Sequence, residues 1–160
     1  MSAFGGLVWK LVIGNWKFRT MPVEKSAGAV VFRRENNKIK YLVIQYGWGH
    51  WEFPRGFIEK GETLEDTARR EIEEEVGIKD IKFIPGFKEW IKFFFRLKGK
   101  TTMKIVTFFL AETKTKEIKL SFEHKDYAWL EYDEALEKLT FENSKKILKK
   151  ANDYIEKHKA

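Results

Sequence analysis

Two hydrophobic periods alternate along the chain, and the switches between them mark its elements. From Ala27, β-branched and aromatic residues crowd into AGAVVFRR and KIKYLVIQY on either side of a polar ENN, the pattern of a β-hairpin. GWGH at 47–50 then marks a loop, and a short WEF strand is stopped by Pro54. After Gly77, IKFIPGF and EWIKFFFRL lead through a KGK turn into TTMKIVTFFLAET, predicting two long strands joined as a hairpin. YAWL at 127–130 is a last short strand.

In between, the period becomes helical. Leu64, Ala68, Ile72 and Val76 recur every four residues, the stripe that a helix buries. Thr63 with Asp66 three positions on has the form of an N-cap, and Gly77 suits the left-handed residue that ends a helix, so the helix is Leu64 to Val76. EYDEALEKL predicts a short helix. A longer one from Glu142 to His158 gathers Ile147, Leu148, Ala151, Tyr154 and Ile155 on one face, with lysines on the other. Strands, one central helix, more strands and a terminal helix predict an α/β sandwich with a mixed sheet.

With 160 residues, 43% hydrophobic and 16% aromatic, the chain has the material for one domain with a substantial core. It has no cysteine, which excludes disulfides, thiolate-bound zinc and thiol nucleophiles, and makes a reducing cytoplasm the expected compartment. The apolar LVWKLVIG near the start is too short, and too interrupted by Lys10, to span a bilayer, so no membrane association is expected. Residues 1–20 are read as an extension of unknown role, and residues 21–160 as the domain, with Met21 as its ordinary beginning.

A formal net charge of +7 draws in anionic ligands such as nucleotides and polyphosphates. Within this basic chain, Glu71, Glu73, Glu74 and Glu75 stand almost side by side on the central helix, where like charges three and four residues apart are unfavourable. At about 100° per residue, Glu71, Glu74 and Glu75 share an arc bordering the buried stripe, whereas Glu73 points away. Partial desolvation there keeps protons on the carboxylates unless a cation holds them. A solvated acidic face is the alternative for such a run on its own. The preceding loop, with Gly56 and Gly61, allows close backbone approach and a carbonyl ligand. Oxygen donors without histidine or cysteine point to Mg2+ or Mn2+ rather than zinc.

The stretch GFIEKGETLEDTARREIEEEVGI resembles the Nudix box at every fixed position. Gly56, five residues, Glu62, seven residues and Arg70-Glu71 are followed by an aliphatic, one residue, Glu74-Glu75, one residue, Gly77 and an aliphatic. The resemblance implies a Nudix-type α/β/α sandwich and a Mg2+-dependent hydrolase of a nucleoside diphosphate linked to another group. By position it makes Glu71, Glu74 and Glu75 the metal-binding, catalytic carboxylates and Gly56 a backbone ligand. Arg70 and Glu62 become a salt bridge holding the loop against the helix.

The flanking segments WEFPRGFIEKGE, GFKEW and LSFEHKDYAWL are similar to those of the family's asymmetric diadenosine tetraphosphate hydrolases, which release a triphosphate and a monophosphate. This similarity implies that Glu123 is a further carboxylate near the metals and a candidate general base. It puts Arg55 and Lys88 near the phosphates, Phe93 or Tyr127 against a base, and His50 in reach of phosphate. Trp51 and Trp129 are assigned to the core. One position departs: some relatives carry histidine after Pro-Lys/Arg-Gly, where this chain has Phe57. Substrate choice therefore stays open among dinucleoside tetraphosphates, nucleoside triphosphates, ADP-ribose and RNA 5′ ends. A non-catalytic binding module is a further reading, against which the intact carboxylate set argues. The basic terminal helix KKILKKANDYIEKHKA reads better as a solvated face over a packed stripe than as an RNA-binding element.

Overall fold

The computed structural model describes residues 21–159, together with the backbone at 11–13 and 17–19. The strands are β1 Leu11–Ile13, β2 Lys17–Arg19, β3 Val23–Glu35, β4 Lys38–Tyr46, β5 Trp51–Glu52, β6 Arg55–Phe57, β7 Lys82–Leu97, β8 Lys100–Glu112 and β9 His124–Leu130. The helices are α1 Leu64–Val76, α2 Tyr132–Lys138 and α3 Glu142–Lys157. β1 and β2 form a separate antiparallel hairpin within the segment read as an extension; the rest of LVWKLVIG lies outside the described residues. No helix among the described residues is long and apolar enough to cross a membrane.

The main sheet has seven strands in the order β5-β4-β3-β8-β7, with β6 also on β3 and β9 also on β4. β3 and β8 run parallel from Val23 opposite Met103 to Phe32 opposite Glu112, and the other pairs in this sheet are antiparallel, so the sheet is mixed. Alternate residues of β3 serve two cores. Ala27, Ala29 and Val31 pack with Phe109, Ala68, Ile72 and Val76 beneath α1. Val30 and Phe32 pack with Phe108, Leu110, Ile147, Leu148 and Ala151 beneath α3. A strand buried on both faces reads as a continuous apolar run, which is why AGAVVFRR shows no alternation.

α1 has the boundaries its sequence predicts. Thr63 Oγ1 accepts from the Asp66 N–H, Asp66 accepts from the Thr63 N–H, and Gly77 closes the helix with φ 74°. The polar ENN turn holds Asn36 and Asn37 at φ 49° and 65°, the paired left-handed residues that suit a tight hairpin. Three elements extend past their sequence patterns. β3 begins at Val23, where its backbone pairs with Met103, β9 begins at His124, and Arg55–Phe57 forms β6 where the sequence reads as loop. Trp51 and Trp129 are half-buried, one packed on the α3-side core and the other on the α1-side core, where its indole N–H donates to the Lys116 carbonyl at 2.9 Å.

Candidate active site

β6 is the divider around which the site is built. It pairs with the start of β3, Ala27 opposite Gly56, so that Gly56 faces α1 and its neighbours Arg55 and Phe57 face the other side of the sheet. A Cβ at position 56 would fall inside the Glu71 carboxylate, so only glycine lets β6 lie this close to the helix. The Arg55 N–H donates to Glu75 Oε2 at 3.2 Å.

Arg70 holds the intervening loop. Its guanidinium donates to both oxygens of Glu62 at 2.7 and 3.0 Å, and to the Phe57 carbonyl at 2.9 Å. These bonds pull the Glu62 carboxyl down to about 2. The Glu59 N–H also donates to Glu62, at 2.8 Å, so the expected loop-to-helix bridge is present and closed at both ends.

The same guanidinium reaches the acidic face, donating to Glu71 at 2.8 Å and to Glu74 at 3.1 Å. Glu75 is buried, and its carboxyl is pushed up to about 9, first by burial and then by the charge of Glu71 and a hydrogen bond with it. The Glu75 carboxyl thus holds a proton that a cation would displace. The Glu74 side chain is 58% exposed and stays with Arg70 at the outer rim. Among the described residues, no three acidic or imidazole side chains converge into a ready-made metal cage. The nucleus of the site is therefore Glu71, Glu75 and the backbone of β6. An all-oxygen donor set with a desolvated carboxylate pair fits a hard divalent cation.

Beyond β6 lies a cationic face. Arg55 Nε is 3.3 Å from the buried Glu52, which accepts a hydrogen bond from the Ser144 hydroxyl at the start of α3. Burial raises the Glu52 carboxyl above its ordinary value. Lys104 of β8 is half-buried, with Nζ 4.8 Å from the Phe57 ring centroid, and lies opposite Phe93 in the β7–β8 register. Burial lowers its pKa. Lys104 and Glu52 went unread in the sequence. The available signal was a lysine inside the apolar run of a central strand, a place charged residues rarely occupy without a partner.

Phe93 is half-buried against the α3-side core, whereas Lys88 is exposed and registers with Phe109, a member of the α1-side core. The two residues therefore project from opposite faces of β7. Tyr127 is 38% exposed on β9, opposite Ile44. His50 stacks on Tyr46 with centroids 5.1 Å apart and meets Phe141 at 5.4 Å. Glu123 is exposed on the segment leading into β9, which is tied to the end of α1 by the Lys119 N–H to the Val76 carbonyl and the Ser121 N–H to the Glu75 carbonyl, both 3.0 Å.

Comparison with known proteins agrees with this geometry. Over 143 residues, 82% of this chain and 95% of the relative, the sequence is 36% identical to bis(5′-nucleosyl)-tetraphosphatase [asymmetrical] of Rattus norvegicus. Over 118 residues, 66% of this chain and 73% of the relative, it is 33% identical to an RNA pyrophosphohydrolase of Sulfurovum sp.. The crystal structure of a C. elegans Ap4A hydrolase binary complex superposes with a TM-score of 0.74 at 28% identity, covering 84% of this chain and 98% of that one. The NUDIX domain model matches residues 23–151, and the chain belongs to that family.

Proposed function

We propose that this Nudix hydrolase cleaves diadenosine tetraphosphate asymmetrically, to ATP and AMP. The observation that carries the hydrolytic reading is the close packing of the Glu71 carboxylate on the Gly56 backbone beside the buried Glu75. The substrate reading is supported by similarity across nearly the whole length of an asymmetric tetraphosphatase.

Glu71 and Glu75, with the Gly56 backbone, would hold Mg2+, and Glu74 would join them on release from Arg70; Mn2+ satisfies the same oxygen donors. When bound, the cation supplies Lewis-acid stabilisation of phosphate charge and lowers the pKa of bound water. This chain's own groups do the rest. Arg55 and Lys104 hold the polyphosphate across β6 from the carboxylates, and Phe93 offers an apolar surface beside Lys104 for a base. Glu123, on the segment pinned to the end of α1, takes the proton of the attacking water as general base. Tyr127, His50 and Lys88 lie farther out and contact the distal nucleoside or its phosphates. Residues 21–160 form the catalytic unit, and its compartment is the cytoplasm, in keeping with a chain that has no cysteine.

A panel assay with Mg2+ tests the substrate assignment. Diadenosine tetraphosphate is expected to be cleaved with a kcat/KM at least about tenfold above those for nucleoside triphosphates, ADP-ribose and triphosphorylated RNA, a margin of about 1.4 kcal/mol in transition-state binding. A preference for triphosphorylated RNA would favour the activity named for the Sulfurovum relative instead.

A further inference from the structure

His124, the residue after Glu123, is buried, and its role is unexplained by the fold alone. Its side chain is fully enclosed, Nδ1 lies 2.8 Å from the Ser121 hydroxyl, and Nε2 has no hydrogen-bond partner. A buried polar nitrogen without a partner is costly and marks a group whose partner arrives with function. The atom it faces is Glu75 Oε1, at 4.0 Å. That is too long for a hydrogen bond, so the contact is electrostatic. The other oxygen, Oε2, accepts from the Arg55 N–H. The ring is also braced by Tyr46, edge-on with centroids 4.5 Å apart, and the segment carrying it is fixed by the Ser121 N–H to the Glu75 carbonyl.

This arrangement selects one tautomer. With Glu75 ionised, as it would be when it holds a cation, a bare Nε2 lone pair facing Oε1 is repulsive, whereas an Nε2–H is attractive. The Ser121 hydroxyl then donates to Nδ1, and no ring nitrogen is left facing a like partner.

We propose that His124 is a positioning residue for the hydrolytic site, a neutral Nε2-protonated imidazole that orients Glu75 through Oε1 while β6 fixes Oε2. The inference rests on Glu75 being a cation ligand, as proposed above. Groups that orient a ligating carboxylate typically change cation affinity by about 10–100-fold when removed.

Two measurements test it on the full chain. With three histidines in the sequence, long-range nitrogen–proton spectra of 15N-labelled protein saturated with Mg2+ can be assigned one ring at a time, and His124 is expected to carry its proton on Nε2. Protonation on Nδ1 overturns the proposal without any variant having to fold. Calorimetric titration with Mn2+ alone is then expected to show His124→Phe weakened about 10–100-fold, and His124→Gln, whose amide can present an N–H in the same direction, within about threefold of the parent. Parent-like affinity in His124→Phe, or a loss that His124→Gln fails to rescue, overturns the proposal. Absence of Mn2+ binding by the parent protein would instead overturn the ligand reading on which it stands.

Discussion

Glu71 and Glu75 stand one turn apart on α1, and the charge of Glu71 adds to burial in pushing the Glu75 carboxyl up to about 9. Glu71 is paired with the Arg70 guanidinium at 2.8 Å, whereas the buried Glu75 carboxyl has no cation of its own among the described residues and holds its proton. On the proposed function, a bound cation would displace that proton.

The first consequence is a pH dependence of the metal-free protein. The Glu75 carboxyl titrates at about 9 when folded, against an ordinary value of 4.5 when unfolded. The folded state therefore holds the proton more tightly. The resulting stability is complete below about 4.5, declines as pH rises, and is gone above about 9. In chelator, the melting temperature is expected to fall across that window. Saturating Mg2+, whose binding strengthens as the pair deprotonates, is expected to flatten the fall. Glu75→Gln, compared with the parent in chelator, should remove this part of the slope; an unchanged slope would show that Glu75 is not the titrating group.

Gly56→Ala places a methyl group where the Glu71 carboxylate lies. Overpacking of this kind costs about 1–3 kcal/mol, and here it also drives β6 away from the carboxylates. Urea unfolding is expected to show that loss, accompanied by a fall in Mg2+ affinity. Gly47→Ala, whose methyl group would meet the Glu123 carbonyl oxygen at an ordinary 3.7 Å, is expected to change neither. Equal effects at the two positions would contradict the close approach of β6 and α1.

Neighbouring glutamates of α1 should behave very differently. Glu75→Gln replaces the buried carboxyl that faces β6, a proposed cation ligand, and activity is expected to fall by more than about 100-fold. Glu73 is exposed on the far side of the helix, and Glu73→Gln is expected to stay within about 0.5 kcal/mol in stability, with an unchanged rate. Steady-state kinetics on the two variants checks this, and similar losses would mean that the helix face is misassigned.

Much of α1 could be read before the structure, because its signals are local: a threonine and an aspartate three apart, a left-handed glycine, a stripe every four residues. The angular arc of Glu71, Glu74 and Glu75 was also readable. Depth was not, since periodicity assigns a face but not what covers it. Glu75 is buried because β6 and the segment ending at Ser121 both close over it, while Glu74 emerges beyond their reach. β6 itself is three residues long, below the length at which a strand pattern can form. Lys104 and His124 acquire meaning only through strand register and loop anchoring, which join residues distant in sequence.

The central claim is that this site attacks a dinucleoside tetraphosphate off-centre. On the proposed function, the cations and aromatic surface beside β6 would hold one end of the substrate, so that the carboxylate site would meet an off-centre phosphorus. The most direct measurement is product analysis of diadenosine tetraphosphate turnover in isotopically labelled water with Mg2+. The expected result is ATP and AMP as primary products in equal amounts, with one label per turnover incorporated into a single one of them. Two equivalents of ADP as primary products would contradict the account.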